Sequence, residues 1–322
     1  MPAPAAAGGI IPYGDLLNNR KIYATIGTDV CKIFEKRNPA MTTPRVAAIH
    51  DLSGFGRCSL TVAIPILSAM GIQCCPLPTA FLSTHTGGFE GFTFLDMTGE
   101  MPKVAAHWKS LDLKFQAIYS GFLGSEQQIG IVEAFIRQFR EADTLVVVDP
   151  VMGDYGQVYQ TYTPAMCAGT ARLAEQADVI TPNLTEAALL LDRPYDSLPC
   201  DEAGYREIVE ALSLQGRRSV VLTGASLDPG HTGAMCFDAR TGRAEAVQTP
   251  YVAHPFHGTG DVFASVLTGA LVQGACLREA ARQAAEFVCA CAERTAAQDL
   301  PMREGVDFEP LLGLLTSPVS PL

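Results

Sequence analysis

The stretch Gly258-Thr259-Gly260-Asp261, with the small and apolar run VFASVLTGALVQG (262–274) directly behind it, contains the strongest structural signal in this chain. The run predicts a helix that starts at Thr259 and is buried on most sides. Glycines at a helix start leave several backbone N–H groups without a helical partner. Because these donors lie at the positive end of the helix dipole, the stretch predicts an anion-binding site.

Asp261 lies in the first turn of this predicted helix, where a carboxylate would repel a bound phosphate. The residues leave two interpretations open. An acidic side chain at this place can simply stabilise the helix dipole. Alternatively, Asp261 accepts a proton from a hydroxyl group that attacks phosphorus, while the N–H groups of residues 258–260 stabilise the transferred phosphoryl group. We favour the second interpretation because Gly-x-Gly is costly in a helix.

Outward from this stretch, the chain from Arg45 onward alternates short apolar runs with segments of helical periodicity. Short connections between such elements predict an α/β fold with three layers, a mostly parallel central sheet and helices on both faces. The predicted strands are 45–50, 72–81, 115–119, 144–148, 178–180 and 218–222, with a hairpin of 231–238 and 243–250. The predicted helices are 59–70, 99–110, 125–140, 164–176, 184–191, 201–215, 259–274 and 277–295.

Ligands in open parallel sheets bind outside the carboxyl ends of the strands, so chemistry is expected in the loops that follow strands. Asp149 and Asp154 follow the strand 144–148 in such a loop. Paired carboxylates suit Mg²⁺, which prefers oxygen ligands and usually keeps several waters. Asp-Pro and Gly-Asp are also common in turns, so turn formation explains the same residues equally well.

Asn183 and Glu186, in Thr181-Pro182-Asn183-Leu184-Thr185-Glu186, have the spacing of a capping box at the start of a helix. That spacing is a sufficient structural explanation. The functional interpretation is that both side chains face a metal–phosphate cluster.

The loop after the first strand, Asp51-Leu52-Ser53-Gly54-Phe55-Gly56-Arg57-Cys58-Ser59, combines two glycines with the hydroxyl of Ser53. Glycines allow a backbone to approach a ligand closely, but G-x-G-x-x-S is a weak motif. The structural alternative is a tight strand–helix turn in which Ser59 is the helix N-cap.

Composition and missing motifs exclude several classes of protein. The net charge of −11 argues against a nucleic-acid-binding protein. The sequence has neither a long uncharged apolar run typical of a membrane span nor a secretory signal pattern. Ten cysteines without a C-x-x-C pair predict mostly buried thiols in a reducing cytoplasm. The absence of G-x-x-x-x-G-K-[ST] excludes a P-loop nucleotidase, and an NAD-dependent oxidoreductase rests on the G-x-G alone.

The two ends of the chain differ from the segment between them. Residues 1–44 are rich in Pro, Ala, Gly and Asn, and this composition predicts an extension that packs loosely on the domain. The alternative is that the natural protein starts at Met41 and that the residues before it are not native. The folded domain is predicted over residues 45–310. The Pro/Ser-rich tail, 311–322, is predicted to fray.

From about Arg45 to about Arg294, the order of these motifs resembles the ribokinase-like superfamily. The segments D-P-V-M-G-D, T-P-N-L-T-E and G-T-G-D are most similar to those of its vitamin B6 branch, the pyridoxal, pyridoxine and pyridoxamine kinases. The segment Phe81-Leu82-Ser83-Thr84-His85-Thr86-Gly87 resembles the F-S-N-H-T-G segment of that branch.

The resemblance implies a three-layer ribokinase-like fold and ATP-dependent phosphorylation of the 5′-hydroxymethyl group of a B6 vitamer. It implies that Asp261 is the catalytic base and that Gly258, Thr259 and Gly260 form the anion hole. The other implied roles are these: Ser53, His85 and Thr86 contact the vitamer, Asp149 and Glu186 bind Mg²⁺, and Asp154, Tyr162, Asn183, Thr223 and Gly224 lie along ATP. It further implies a mobile cover over residues 154–163, a homodimer, and a monovalent cation such as K⁺.

Departures from the family pattern keep other functions open. Thr84 replaces the usual Asn, and the first loop has Arg57 and Cys58 in place of the V-x-G-x-x-G-N form. These departures leave the preferred vitamer open. Asp261 occupies the position at which related hydroxymethylpyrimidine kinases and their B6-active relatives have Cys, which argues against a hydroxymethylpyrimidine kinase of the thiamin pathway without removing it. Such a kinase is the first alternative, and a non-catalytic B6-binding protein is the second.

Overall fold

A nine-stranded sheet forms the centre of the computed structural model, which describes residues 43–254, 256–298 and 300–316. Its strands are β1 (Arg45–Ser53), β2 (Gln73–Leu82), β3 (Phe94–Asp96), β4 (Ala117–Ser120), β5 (Leu145–Val148), β8 (Val179–Ile180), β9 (Ser219–Thr223), β10 (His231–Asp238) and β11 (Arg243–Pro250). A separate two-stranded hairpin consists of β6 (Gly153–Asp154) and β7 (Gln157–Val158).

The strand order across the sheet is β11-β10-β9-β8-β5-β4-β1-β2-β3. The six strands from β9 to β2 are all parallel. Strands β10, β11 and β3 are antiparallel to their neighbours and lie at the two edges. The predicted α/β fold with a mostly parallel sheet is therefore confirmed.

Helices cover both faces of this sheet and form two cores. One face packs against α2 (Met101–Ser110), α3 (Glu126–Phe139), α4 (Pro164–Ala174), α5 (Leu184–Leu190) and α6 (Glu202–Leu212). The other face packs against α1 (Ser59–Ala69), α7 (Thr259–Val272) and α8 (Leu277–Ala297). No helix among the described residues has the length and apolarity needed to cross a bilayer.

The central strands are apolar on both faces because each face packs against helices. In β1, Val46 packs into the core beside α7, whereas Ile49 packs into the opposite core, and both side chains are fully buried. Such strands appear in the sequence as continuous apolar runs rather than alternating ones. The loops at their carboxyl ends meet at one edge of the sheet.

The end of α6 and the strand β3 differ from the sequence expectations. The predicted helix 201–215 ends at Leu212, because Leu214, Gln215 and Gly216 all have positive φ values. Strand β3 is absent from the prediction because three residues show no periodicity. It pairs with β2 only over Ala80–Leu82, so the prolines of β2 lie in a stretch that pairs on one side only.

The C-terminal segment is more ordered than the sequence predicts. The tail predicted to fray from residue 311 instead begins within a 3₁₀ helix, Glu309–Leu315. Phe308 and Leu315 are buried against the core beside α1 and α8, and this burial fixes the segment. The predicted extension over residues 1–44 lies outside the described residues except for its last two, and so does the tail beyond residue 316.

Candidate active site

A cavity of about 440 Å³ opens at the carboxyl ends of the parallel strands. It brings together loops that are far apart in sequence, because β5, β8 and β9 are neighbours in the sheet and the β10–β11 hairpin leads the chain to α7. The residues predicted for the site that line it are Asp149, Asp154, Asn183, Glu186, Thr223, Gly224, Gly258, Thr259, Gly260 and Asp261.

Helix α7 begins at the cavity with an N-terminal turn that only glycine permits. Gly258 is the N-cap and has a φ of 77°, in the left-handed region that favours glycine. A Cβ atom at this residue would lie 2.2 Å from the carbonyl oxygen of Arg57. The close contact between the two loops places the unpaired N–H groups of the first turn of α7 at the cavity wall.

Asp261 lies in this first turn and also lines the cavity. Burial raises the pKa of its carboxyl to about 7, and the negative charge of Asp51 adds to the rise. The nearby backbone of Ser59 lowers the pKa and so opposes the rise. A carboxyl group with a pKa near neutral can accept a proton from an alcohol during a reaction and release it afterwards.

Asp149 and Glu186 are buried acidic residues on two neighbouring loops of the same cavity. Asp149 Oδ1 accepts a hydrogen bond of 2.9 Å from the hydroxyl of Thr181. Burial and the charge of Asp261 raise the pKa of Asp149, and burial and the charge of Asp149 raise the pKa of Glu186. The cavity therefore concentrates negative charge that a bound cation would stabilise.

Glu186 also forms the predicted capping box at the start of α5. Its Oε2 accepts the backbone N–H of Asn183 at 2.9 Å, and Asn183 Oδ1 accepts the backbone N–H of Glu186 at 2.9 Å. Its Oε1 accepts the backbone N–H of Met152 at 3.1 Å. The structural and functional interpretations of Glu186 are thus compatible, because each carboxylate oxygen keeps a further lone pair.

The β6–β7 hairpin stands at the mouth of the cavity, within the segment predicted as a mobile cover. Its turn consists of Tyr155 and Gly156, with φ values of 50° and 77°, and Tyr155 is 84% exposed. Asn183 Nδ2 donates to the carbonyl oxygen of Gly153 at 2.9 Å, and the hydroxyl oxygen of Thr185 accepts the N–H of Gly156 at 2.8 Å. The hairpin is therefore hydrogen-bonded to α5, and its mobility stays a prediction.

Comparison with known proteins connects this geometry to a family. The model of the phosphomethylpyrimidine kinase family matches residues 64–305, which include α7 and all the residues that line the cavity except Ser59. The chain belongs to this family. Its kinases phosphorylate small molecules with ATP on a ribokinase-like fold, and the family includes pyridoxal kinases and hydroxymethylpyrimidine kinases.

Two solved structures share the fold of this kinase. A candidate phosphomethylpyrimidine kinase from Bacteroides thetaiotaomicron, crystallised with pyridoxal, is 44% identical; the match covers 86% of this chain and 97% of that one, with a TM-score of 0.81. The pyridoxal kinase of Lactobacillus plantarum is 32% identical over 85% of this chain and 97% of its own, with a TM-score of 0.78.

Relatives of known name include B6 kinases and proteins of thiamine biosynthesis. The pyridoxine/pyridoxal/pyridoxamine kinase of Bordetella avium is 30% identical over 76% of this kinase and 82% of its own length. The thiamine biosynthesis bifunctional protein ThiED of Geobacter sulfurreducens is 27% identical over 83% of this kinase, which spans only 52% of that protein.

The residues of this kinase fit a magnesium ion that accompanies a nucleotide. Among the described residues, no group of three or more His, Cys, Asp and Glu side chains forms a complete metal site. Mg²⁺ is usually bound by one or two carboxylates, substrate phosphates and several waters. Asp149 and Glu186 supply those two carboxylates, and each has a pKa raised by burial and by neighbouring negative charge.

Four predicted residues do not line the cavity of the kinase. The hydroxyl of the fully buried Ser53 donates to Asp51 at 2.8 Å, and Thr86 is exposed outside the cavity. Tyr162 is 8% exposed and packs its ring against Phe122, which itself lines the cavity. Because it is a core residue, Tyr162 is not kept as a direct contact of ATP.

His85, the fourth, uses both ring nitrogens for backbone contacts. Nδ1 accepts the N–H of Gly87 at 3.0 Å, so Nε2 is the protonated nitrogen that lies 2.6 Å from the carbonyl oxygen of Arg303. A hydrogen bond from Nε2 to a ligand would require the segment around Arg303 to move. The predicted contact with a vitamer stays a prediction.

Sequence reasoning missed several residues of the site. His257 lines the cavity directly before the anion hole, with its ring centroid 5.7 Å from that of His85. Arg57, in contrast, does not line the cavity; its guanidinium pairs with Asp307 and Glu309 of the C-terminal segment. The apolar wall of the cavity comes from α7, α8 and the loop after β11, and includes Val252, Phe256, Phe263, Ala285, Val288, Cys289 and Ala292. No local motif marks these residues, because helices and loops supply them one at a time.

Proposed function

We propose that this kinase transfers the γ-phosphoryl group of ATP to the 5′-hydroxymethyl group of pyridoxal, pyridoxine or pyridoxamine, and so supplies pyridoxal 5′-phosphate and its relatives. The observation that carries the proposal is Asp261, a carboxylate with a pKa near neutral in the first turn of an anion-binding helix. The family resemblance associates a carboxylate at this place with the familiar B6 kinases, whereas hydroxymethylpyrimidine kinases and their B6-active relatives have Cys there.

The reaction follows from the placement of the charges. Asp261 accepts the hydroxyl proton as the alcohol oxygen forms its bond to the γ-phosphorus and the bond to the β-phosphate oxygen breaks. The N–H groups of Gly258, Thr259 and Gly260 stabilise the charge on the transferred phosphoryl group. In this proposal Asp154, Asn183, Thr223 and Gly224 lie along ATP, and the apolar wall receives its base.

A magnesium ion held by Asp149 and Glu186 would neutralise phosphate charge next to these carboxylates. Without it, ATP would enter a cavity whose described lining contains four carboxylates and no Lys or Arg. Ser53, His85 and Thr86 stay proposed contacts of the vitamer ring. The pyridoxal in the Bacteroides thetaiotaomicron structure supports a B6 vitamer as the acceptor.

A coupled assay of ADP release tests the proposal. We expect kcat/KM for at least one B6 vitamer to exceed that for hydroxymethylpyrimidine by ten-fold or more, with activity lost when EDTA removes Mg²⁺ and regained when Mg²⁺ is added back. Mass spectrometry of the product should show one added phosphate. A higher kcat/KM for hydroxymethylpyrimidine would contradict the proposal, and so would vitamer binding without ADP release.

The second candidate is a hydroxymethylpyrimidine kinase, favoured by the matched family model and by thiamine-pathway relatives. The acceptor substrates of both candidate kinases have an aromatic ring with a hydroxymethyl group, and both reactions transfer a phosphoryl group to that hydroxyl. The side-by-side assay therefore separates them, and the same preparations with and without K⁺ test the proposed monovalent cation.

A further inference from the structure

His257 is a half-buried residue of the cavity wall, directly before Gly258, the N-cap of α7. Neither nitrogen of its ring forms a hydrogen bond with another described residue. A neutral imidazole donates from one ring nitrogen, and a protonated imidazole donates from both. His257 is therefore an available hydrogen-bond donor beside the anion hole.

Contacts with the segment after β2 fix the place of this ring. Its centroid lies 5.7 Å from that of His85, and a Cβ atom at Gly87 would lie 3.4 Å from its Cε1 atom. Both nitrogens of His85 already face backbone groups of Gly87 and Arg303, so the two rings pack together without a hydrogen bond between them. His257 thus joins the segment proposed to contact the vitamer to the start of α7.

The chain is equally constrained on the other side of His257. A Cβ atom at Gly258 would lie 2.2 Å from the carbonyl oxygen of Arg57, so the loop after β1 packs closely against this residue. Because His257 is bonded to Gly258, its backbone keeps a fixed place beside the N–H groups of the anion hole. In the proposed reaction the phosphoryl group moves between the same two regions, from the anion hole to the vitamer oxygen.

The charge of the cavity favours a donor at this place. Its described lining contains four carboxylates and no Lys or Arg, so two histidines are the side chains in it that can become positive. His254 lies three residues further from the anion hole and packs against Phe256, with their ring centroids 4.9 Å apart. His257 is the histidine next to the place where phosphate charge is expected.

The groups around His257 decide its charge. Burial lowers its pKa, and the neighbouring His85 lowers it further, whereas the negative charge of Asp154 on β6 opposes the fall. The carboxyl of Asp261 and the other carboxylates of the lining face the same cavity. A phosphate group at hydrogen-bond distance favours the protonated imidazole, so phosphate binding should raise the pKa of His257.

We propose that His257 is a phosphate-binding residue of the kinase: its imidazole donates a hydrogen bond to the phosphoryl group as it passes to the alcohol, and then to the phosphate of the product. The histidine forms no covalent bond in this step. The inference rests on the proposed function in requiring phosphoryl transfer at the anion hole, but it applies to either of the two candidate acceptors.

Two replacements separate the nitrogens of His257 from the packing of its ring. His257→Phe keeps an aromatic ring beside His85, so pyridoxine, which has no phosphate, should bind within about two-fold of the wild type. Pyridoxine 5′-phosphate should bind roughly 10- to 10²-fold more weakly, the effect of one hydrogen bond to a charged group. His257→Gln keeps an N–H donor and should recover part of this affinity. Titration calorimetry measures these affinities, and pyridoxine 5′-phosphate has no aldehyde that could react with lysines.

NMR of the wild type tests the same contact without relying on the affinity of a variant. The chain has six histidines, and the ring signal absent from both His257 variants belongs to this residue. With pyridoxine 5′-phosphate bound, the pKa of His257 should rise by at least about one pH unit, because an opposite charge within hydrogen-bond reach has effects of this size. Pyridoxine alone should leave this pKa nearly unchanged.

His107→Phe is the matched control, because His107 is an exposed residue of α2 outside the cavity lining. It should change neither affinity. Wild-type affinity of folded His257→Phe for pyridoxine 5′-phosphate would overturn the proposal, and so would an equal loss for pyridoxine, because the ring would then only shape the pocket. An unchanged pKa of His257 in the phosphate complex would overturn it as well.

A separate result tests the proposed function beneath this inference. If hydroxymethylpyrimidine is the better substrate of the wild type, the choice of a B6 vitamer fails, and hydroxymethylpyrimidine phosphate replaces pyridoxine 5′-phosphate as the probe. Weaker binding of that phosphate to His257→Phe would still support the role of His257. Equal binding to the wild type and the variant would contradict that role.

Discussion

Asp261→Asn should lower kcat at least ~10²-fold, the lower end of the effect of removing a general base. The amide has almost the same shape as the carboxyl but cannot accept the proton of the attacking hydroxyl. The N–H groups at the start of α7 remain, so the KM for ATP should change little. Steady-state ADP release with a B6 vitamer measures both quantities, and near-normal turnover would show that Asp261 is not the base.

The same variant should be more stable than the wild type at pH 8. Burial raises the pKa of Asp261 from 3.8 to about 7 in the folded chain, so the folded state holds the proton more tightly than the unfolded state. The free energy of unfolding therefore decreases as the pH rises from about 4 to about 7. Asn carries no charge, so the variant does not lose this stability as the pH rises. Urea unfolding should show a higher free energy of unfolding for Asp261→Asn than for the wild type at pH 8, and equal values at pH 4.

Gly258→Ala is expected to have the second largest effect. The added Cβ would lie 2.2 Å from the carbonyl oxygen of Arg57, and the residue has a φ of 77°. Because the neighbouring atom belongs to the backbone, the loop after β1 or the start of α7 must move. The N–H groups of the anion hole would move with it, so we expect kcat to fall roughly 10²-fold. The free energy of unfolding should fall by more than the roughly 1–2 kcal/mol of the strained φ alone.

Gly216→Ala is the matched control for this substitution. Gly216 has a φ of 79°, but a Cβ atom there would meet nothing within 4 Å, and the residue lies between α6 and β9, outside the cavity lining. It should lose roughly 1–2 kcal/mol of stability and keep its kcat. Equal kcat losses in both variants, or normal kcat in Gly258→Ala, would contradict the role of the contact with Arg57.

Most of the fold is predictable from the sequence because its determinants are local. The six parallel strands are short apolar runs, and their helices begin with side chains that accept N–H groups, such as Ser125, Thr163 and Asp201. Strand β3 and the β6–β7 hairpin escape prediction because two or three residues have no measurable period. Pairing with a neighbouring strand, and hydrogen bonds to α5 in the case of the hairpin, fix these elements.

Some features of the candidate site are predictable from the sequence, and others are not. Asp149, Asn183, Glu186 and the residues of the α7 start are predictable, because the loops that follow parallel strands meet at one edge of the sheet. The contact of His85 with Arg303 is not, since it joins residues 218 positions apart. The left-handed conformation of Ser59 is equally hidden, because it leaves no pattern in the sequence.

The pH dependence of kcat/KM for a B6 vitamer, in the wild type and in Asp261→Asn, tests the central claim most directly. A base must be ionised to accept a proton, so wild-type kcat/KM should fall below an apparent pKa near 7, the value to which burial raises the pKa of Asp261. The residual activity of Asp261→Asn should lack this acidic limb, because ionisations of the substrate affect both proteins equally. The same limb in the variant, or a wild-type profile that stays flat from pH 5 to pH 8, would contradict the claim that Asp261 takes the proton.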